Sequence, residues 1–132
     1  MRTTRIITAA LIAAGALALH VAEAQKADIG RTELTRQDLG DSVREVIQTR
    51  VDFAPGAAFP RHSHPGVEVA YVIEGSLEYR FDGKPPVTLK AGSSLFIPAG
   101  TIHSARNVGS GSASELATYV VEKGKPIVVT AP

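Results

Sequence analysis

The stretch that decides the fold is residues 56–75, which read GAAFPRHSHPGVEVAYVIEG. It contains two predicted strands, 60–64 and 68–74, and the pair Pro65-Gly66 between them is suited to a reversal of the chain. A local reversal between two short strands produces an antiparallel hairpin. The stretch therefore predicts β-structure built from hairpins.

The same pattern continues on both sides of this stretch. Further strand-like runs, separated by Gly, Pro and Asp, are predicted at 43–53, 77–82, 87–90, 94–97, 102–107, 115–122 and 127–130. In one of them Leu77, Tyr79 and Phe81 alternate with polar residues, which predicts one buried and one solvated face. In 68–74 both alternating sets are largely apolar, which predicts a strand covered on both sides. The fold class is therefore all-β.

The N-terminus has the features of a secretory signal peptide. Arg2 and Arg5 supply a positive start, residues 6–19 an apolar run, and Ala22-Glu23-Ala24 a small-x-small cleavage site. The apolar run is short for a membrane span, and nothing later in the chain approaches the necessary length. We therefore expect an exported protein, periplasmic or secreted, with no membrane attachment after cleavage.

This prediction divides the chain into three parts. Residues 1–24 are the signal peptide, 25–41 an N-terminal arm with at most a short strand, and 42–132 a single β-barrel domain. The arm is assigned no regular element because its charges are scattered and glycines interrupt it.

Charge and cysteine content limit the partners and the chemistry. Removing Arg2, Arg5 and Glu23 from 14 basic and 13 acidic residues leaves 12 of each, so the mature chain is close to neutral. Without a basic cluster that would follow phosphates, nucleic acid is not an expected partner. The chain has no Cys, so a metal site would have to use nitrogen and oxygen ligands.

Four residues form a candidate metal site. His62 and His64 lie two apart on a predicted strand and so face the same side, Glu68 follows the reversal, and His103 belongs to another hairpin. Three imidazoles and a carboxylate suit one divalent transition metal ion, Zn, Cu, Fe, Mn or Ni, with room for exchangeable waters. The fourth histidine, His20, leaves with the signal peptide, so every histidine of the mature chain belongs to this set.

The two segments that contain these residues resemble the paired motifs of the cupin superfamily. The motif positions that match at the family's spacing are Gly56, His62, His64, Glu68 and Gly75 in the first segment and Gly92, Pro98, Gly100, His103 and Asn107 in the second. The resemblance implies a small single-domain cupin, a double-sheet, jelly-roll-like β-barrel with the metal inside it on His62, His64, Glu68 and His103. The resemblance is also compatible with a homodimer.

The remaining polar and aromatic candidates have structural interpretations. Asn107 fits a hydrogen-bonding role near a strand end, with support of the metal site as the alternative. Ser104 adjoins His103, but adjacent strand residues face opposite sides and no Gly-x-Ser-x-Gly segment exists, so serine catalysis is not expected. The aromatic residues are expected in the core, with a pocket lining as the alternative; they are Phe59, Tyr71, Tyr79, Phe81, Phe96 and Tyr119.

Several functions remain open for such a site. The first hypothesis is a metal-dependent oxidoreductase, dioxygenase-like, acting on a small organic molecule. The alternatives are a non-catalytic protein that binds a metal or small ligand, and a metal-dependent isomerase or hydrolase in which Glu68 or a pocket Tyr moves a proton. The sequence assigns no catalytic residue. A chain that acquires its ion outside the cytoplasm is expected to contain Cu or Zn, since these bind most tightly.

Overall fold

Ten β-strands form the regular structure of the residues that the computed structural model describes, 28–41 and 43–132. They are β1 (Ile29–Asp38), β2 (Arg44–Phe53), β3 (Ala58–Ser63), β4 (Val67–Glu74), β5 (Ser76–Phe81), β6 (Val87–Lys90), β7 (Ser94–Ile97), β8 (His103–Asn107), β9 (Ala113–Glu122) and β10 (Val129–Thr130). The fold class is all-β, as predicted.

The strands form two antiparallel five-stranded sheets. One has the order β1-β2-β9-β4-β7 and the other β10-β3-β8-β5-β6, so the chain crosses repeatedly from sheet to sheet. This arrangement is the double-sheet jelly roll expected from the sequence. The signal peptide proposed for residues 1–24 lies outside the described residues. Within the described part of the chain, no helix is long and apolar enough to cross a membrane.

The core lies between the two sheets because each long strand turns alternate side chains inward. In β2 the buried set includes Ile47, Val51 and Phe53, and in β9 it includes Ala117 and Tyr119. Leu77 and Tyr79 of β5 are buried from the opposite sheet, as their alternation predicts.

The N-terminal arm is the main departure from the expected elements. We expected at most a short strand before residue 42, but β1 has ten residues and pairs along its length with β2. Most side chains of β1 are exposed, so the strand does not need alternating apolar residues and its sequence has none. The strand depends on its hairpin pairing with β2, which its own sequence pattern does not signal.

The outer face of β4 also differs from expectation. Residues 68–74 were predicted to be covered on both sides, but Val69, Tyr71 and Ile73 are exposed in the single chain. Tyr71 and the still more exposed Phe96 therefore do not belong to the core in which we placed them. The inward set of β4 contains Glu68, Ala70 and Val72, and it alone is buried.

The turn between β3 and β4 passes close to the backbone of β9. A Cβ built on Gly66 would lie 2.0 Å from the carbonyl oxygen of Val120 in β9, so only glycine fits this approach. Because His64 and Glu68 flank this turn on either side, the close approach fixes both side chains relative to β9.

Candidate metal centre

Both sheets contribute to the predicted metal site. His62 lies on β3 and His103 on β8 of the same sheet, where the two residues are direct cross-strand partners. His64 follows β3, and Glu68 projects inward from β4 of the facing sheet. All four side chains are buried, and the structure thus brings together every residue that the sequence proposed for the site.

The three imidazoles form a compact cluster. One nitrogen from each of His62, His64 and His103 lies within 4.8 Å of the others, and this set could hold a metal ion. Oε2 of Glu68 lies 2.8 Å from Nε2 of His64 and 3.5 Å from Nε2 of His103. The carboxylate therefore borders the same small volume as the histidines.

The backbone fixes the orientation of each ring through its Nδ1 atom. Nδ1 of His62 lies 2.7 Å from the carbonyl oxygen of Pro60, and Nδ1 of His103 lies 2.9 Å from that of Thr101. Nδ1 of His64 lies 2.6 Å from the carbonyl oxygen of residue 127, far along the chain. Because a carbonyl oxygen only accepts, Nδ1 of each ring is the donor, and Nε2 of a neutral ring keeps its lone pair.

Two buried atoms of the cluster lack hydrogen-bond partners. Nε2 of His64 and Oε2 of Glu68 are both buried and have no hydrogen-bond partner, although only 2.8 Å separates them. Unsatisfied buried polar atoms of this kind are rare and costly. A cation between them would satisfy both atoms, and three imidazole nitrogens with one carboxylate oxygen are a donor set that fits a divalent transition metal.

The surroundings act differently on the individual pKa values. Burial lowers the pKa of His62 to about 4, so this imidazole is neutral at physiological pH, as metal binding requires. Burial alone would raise the pKa of Glu68, but the adjoining His103 and His64 outweigh it and lower that pKa to about 2. Burial opposes charge on His103, yet the neighbouring Glu68 carboxylate raises its pKa overall. The site therefore contains an ionised carboxylate.

A second buried carboxyl group was not predicted. Glu115 of β9 points inward and accepts a hydrogen bond from the hydroxyl of Tyr79 on β5. Burial, followed by the charge of Glu68, raises the pKa of Glu115 to about 7. The signal was present in the sequence, because Glu115 occupies an inward position between Ala113 and Ala117 in a strand with alternating burial. Glu115 and Tyr79 together can hold a proton inside the barrel.

Aromatic rings surround the histidine cluster. Phe59 lies 4.6 Å from His62 between ring centroids, Tyr119 lies 4.8 Å from His64, and Phe81 lies 5.9 Å from His103. Phe81 also lines an open, largely apolar cleft of about 380 Å³ together with Thr101 and the exposed Phe96. Phe81 and Phe96 thus line a cleft, whereas Tyr79 and Tyr119 are buried; the substrate-pocket role stays a prediction.

Asn107 has the structural role predicted for it. Its side-chain nitrogen lies 3.1 Å from the carbonyl oxygen of Ala54 and 2.8 Å from that of Gly111, and its Oδ1 accepts from the backbone N–H of Gly109. These hydrogen bonds join the end of β8 to the segments after β2 and before β9. None of them involves a histidine of the cluster.

The fold and the cluster together define a class: a small double-sheet β-barrel protein whose interior contains three histidines able to hold a metal. The Cupin domain family matches residues 49–121, which is more than half of the 132 residues, and the chain belongs to this family. It is a small single-domain cupin, as its paired motifs indicated.

Known relatives include a germin-like protein and a lyase. The chain is 36% identical over 85 residues to germin-like protein subfamily 2 member 2 of Arabidopsis thaliana, covering 61% of this chain and 39% of that protein. It is 30% identical over 105 residues to dimethylsulfoniopropionate lyase DddQ of Ruegeria pomeroyi, covering 74% of this chain and 52% of that protein. The chain thus spans about half or less of the length of these relatives.

Among solved structures, the chain resembles oxalate oxidase in complex with the substrate analogue glycolate. The two are 30% identical with a TM-score of 0.64, and the match covers 80% of this chain and 56% of the other.

Proposed function

We propose that this cupin is an exported, metal-dependent oxidoreductase that acts on a small organic molecule. Its ion would be held by His62, His64, Glu68 and His103, with Glu68 as the single acidic ligand. The observation that carries the proposal is the cluster of three imidazoles beside Glu68, in which Nε2 of His64 and Oε2 of Glu68 are buried without a hydrogen-bond partner. When bound, a transition metal would supply a Lewis-acidic and redox-capable centre.

The residues of the chain have separate tasks in this proposal. The carbonyl oxygens of Pro60, Thr101 and Ile127 hold the imidazoles with Nε2 directed inward. The rings of Phe59 and Tyr119, which contact His62 and His64, would keep water away from these imidazoles and so strengthen electrostatic interactions at the site. Tyr79 and Glu115 can store or return a proton between the Tyr79 hydroxyl and Oε2 of Glu115.

The likeness to oxalate oxidase supports oxidation. The experiment is oxygen uptake by protein loaded in turn with Fe, Mn, Cu, Ni and Zn, against enols, phenols, diketones and small hydroxy acids. Uptake that the metal-binding variant His103→Ala abolishes would support the proposal. If no metal and substrate pair consumes oxygen, and substrates are recovered unchanged, the protein is a binding protein.

A second candidate is a metal-dependent lyase or isomerase. The specific observation in its favour is Glu115, whose raised pKa of about 7 suits a group that removes a proton from a substrate. The likeness to DddQ agrees with it. Substrate conversion under strictly anaerobic conditions, lost in Glu115→Gln but not in the exposed Glu122→Gln, would favour this reaction over oxidation.

The native ion and the oligomer belong to the same proposal. Export would favour Cu or Zn, and elemental analysis of protein from its native compartment tests this; chiefly Mn or Fe would contradict it. The homodimer remains a prediction that native mass spectrometry of the same sample would test.

A further inference from the structure

Arg31 carries a positive charge on the interior-facing side of β1, although the residue itself is exposed. In β1 it pairs directly with Val51 of β2, whose side chain is buried, and directly opposed residues of antiparallel strands face the same side. The Arg31 side chain therefore points to the interior side of its sheet. It reaches across β2, and its Nη2 donates to the hydroxyl of Tyr119 on β9 at 3.3 Å.

Two aromatic rings flank this guanidinium. Its central carbon lies 5.5 Å from the ring centre of Phe59 and 5.9 Å from that of Tyr119, within the range of cation–π attraction. Phe59 in turn contacts His62, and Tyr119 contacts His64. A single aromatic ring thus separates Arg31 from the histidine cluster along either route.

Arg31 differs from most other arginines of the described residues in having no carboxylate partner. Arg36, Arg44, Arg50, Arg61 and Arg80 all form ion pairs. Arg106 is also unpaired within residues 28–41 and 43–132, but it lies exposed on the side of β8 opposite the buried His103 and Ala105. Arg31 remains accessible to solvent on one side, so its other N–H groups are available to a ligand.

The charge of the interior favours an anion at this position. A divalent ion bound with the Glu68 carboxylate would keep a net positive charge, and Arg31 would add a second beside it. A planar guanidinium also matches a carboxylate with two parallel hydrogen bonds.

We propose that Arg31 is a carboxylate-binding subsite, so that the ligands of this protein are small organic acids whose carboxylate pairs with Arg31 while the rest of the molecule reaches the metal centre. Only the second of these contacts, between the rest of the acid and the metal centre, rests on the proposed function. The first contact, between Arg31 and the acid, does not require the metal.

The test measures binding by calorimetry with malonate, succinate and glutarate, each compared with its own monoamide, which lacks one negative charge. Metal-loaded wild-type protein should bind at least one acid about tenfold or more tightly than its monoamide, the range expected for a charged hydrogen-bonded pair. Arg31→Gln should remove this preference. Arg31→Lys, which keeps the charge but loses the planar fork, should retain only part of it.

Arg50→Gln is the matched control because it removes the same charge from a side chain already paired with Asp52. It should bind the acids as the wild type does, and all variants should contain the same amount of metal. The proposal is overturned if the wild type prefers no acid to its monoamide, or if Arg31→Gln keeps the preference.

Repeating the titrations on metal-free protein separates the two proposals. An acid preference that depends on Arg31 and persists without metal would support the subsite even if the proposed oxidoreductase activity is never observed. Turnover of neutral substrates with no acid preference would support the proposed function and refute the subsite.

Discussion

Single residues inside the barrel include two buried carboxyl groups whose pKa values move in opposite directions. The pKa of Glu68 is lowered to about 2 by the neighbouring histidines despite its burial, whereas burial and the charge of Glu68 raise that of Glu115 to about 7. At neutral pH one group is ionised, and the other lies close to its titration point. The interior thus has a fixed negative charge beside an exchangeable proton.

Glu115→Gln should change how the stability of the metal-free protein depends on pH. A carboxyl group with a raised pKa in the folded state adds stability below its unfolded value near 4.5, and this is lost as pH rises through about 7. As the pH rises from 4.5 to about 7, the free energy of unfolding of the variant should therefore increase relative to that of the wild type by roughly 3 kcal/mol. Urea unfolding at several pH values measures this. Parallel curves for the two proteins would contradict it, and Glu122→Gln, an exposed change in the same strand, should show no such gain.

His62→Ala and His103→Ala should lower the melting temperature of the metal-loaded protein more than that of the metal-free protein. A ligand in hundredfold excess over its dissociation constant stabilises the folded state by about 2.7 kcal/mol, which these variants would lose. Calorimetry with and without metal provides the comparison. Leu77→Ala, which removes a buried core side chain, should cost similar stability in both states. Equal losses in both states for the histidine variants would make them packing residues.

At the level of elements, the sequence predicted the bounds of strands that are delimited by turn residues next to them in the chain. Strands β6 and β7 have the predicted bounds because each is enclosed by Gly or Pro, whether it pairs with the preceding strand, as β6 does with β5, or with a more distant one, as β7 does with β4. The motif spacing also placed His62 and His103 on strands that pair directly, whereas His64, predicted within the same strand as His62, lies just beyond the end of β3. By contrast, the long strand β1 lacks an apolar pattern, and the positions of Arg31 and Glu115 beside the site arise from the packing of distant strands.

Gly66→Ala tests how tightly the β3–β4 turn is held. The added methyl group would lie 2.0 Å from the carbonyl oxygen of Val120, so the turn or β9 must shift. We expect a loss of more than about 2 kcal/mol in unfolding free energy, together with weaker metal binding, because His64 and Glu68 flank the turn. Gly111→Ala is the control, since its Cβ would contact nothing within 4 Å. Equal stabilities of the two variants would show that the turn adapts.

At the level of the whole molecule, the metal centre depends on a segment far away in sequence. The carbonyl oxygen of Ile127 accepts the hydrogen bond from Nδ1 of His64. In addition, β10 pairs with the edge of β3 that faces away from β8. Sequence motifs could not reveal this support because any residue can supply a backbone carbonyl group. The segment after β9 therefore contributes to the site without providing a ligand.

Deleting residues 126–132 should weaken metal affinity at least about tenfold, the usual cost of losing a group that orients a ligand. Competition with a chelator of known affinity measures the loss, and circular dichroism reports whether the sheets remain. Deleting only residues 131–132 keeps Ile127 and both residues of β10, and it should leave the affinity close to that of the full chain. Similar affinities for both truncations would argue against a role for the Ile127 carbonyl.

The bulge in β1 leaves one residue of that strand without a partner in β2. Glu33 pairs with Thr49 and Thr35 with Gln48, so Leu34 has no partner, although the residues on either side pair in regular succession. Removing Leu34 would preserve each of these pairings, whereas a deletion inside a regular strand turns every following side chain to the other face. The N-terminal strand should therefore tolerate a shorter chain at this point: deletion of Leu34 should barely change the melting temperature, and deletion of Gln48 should prevent folding.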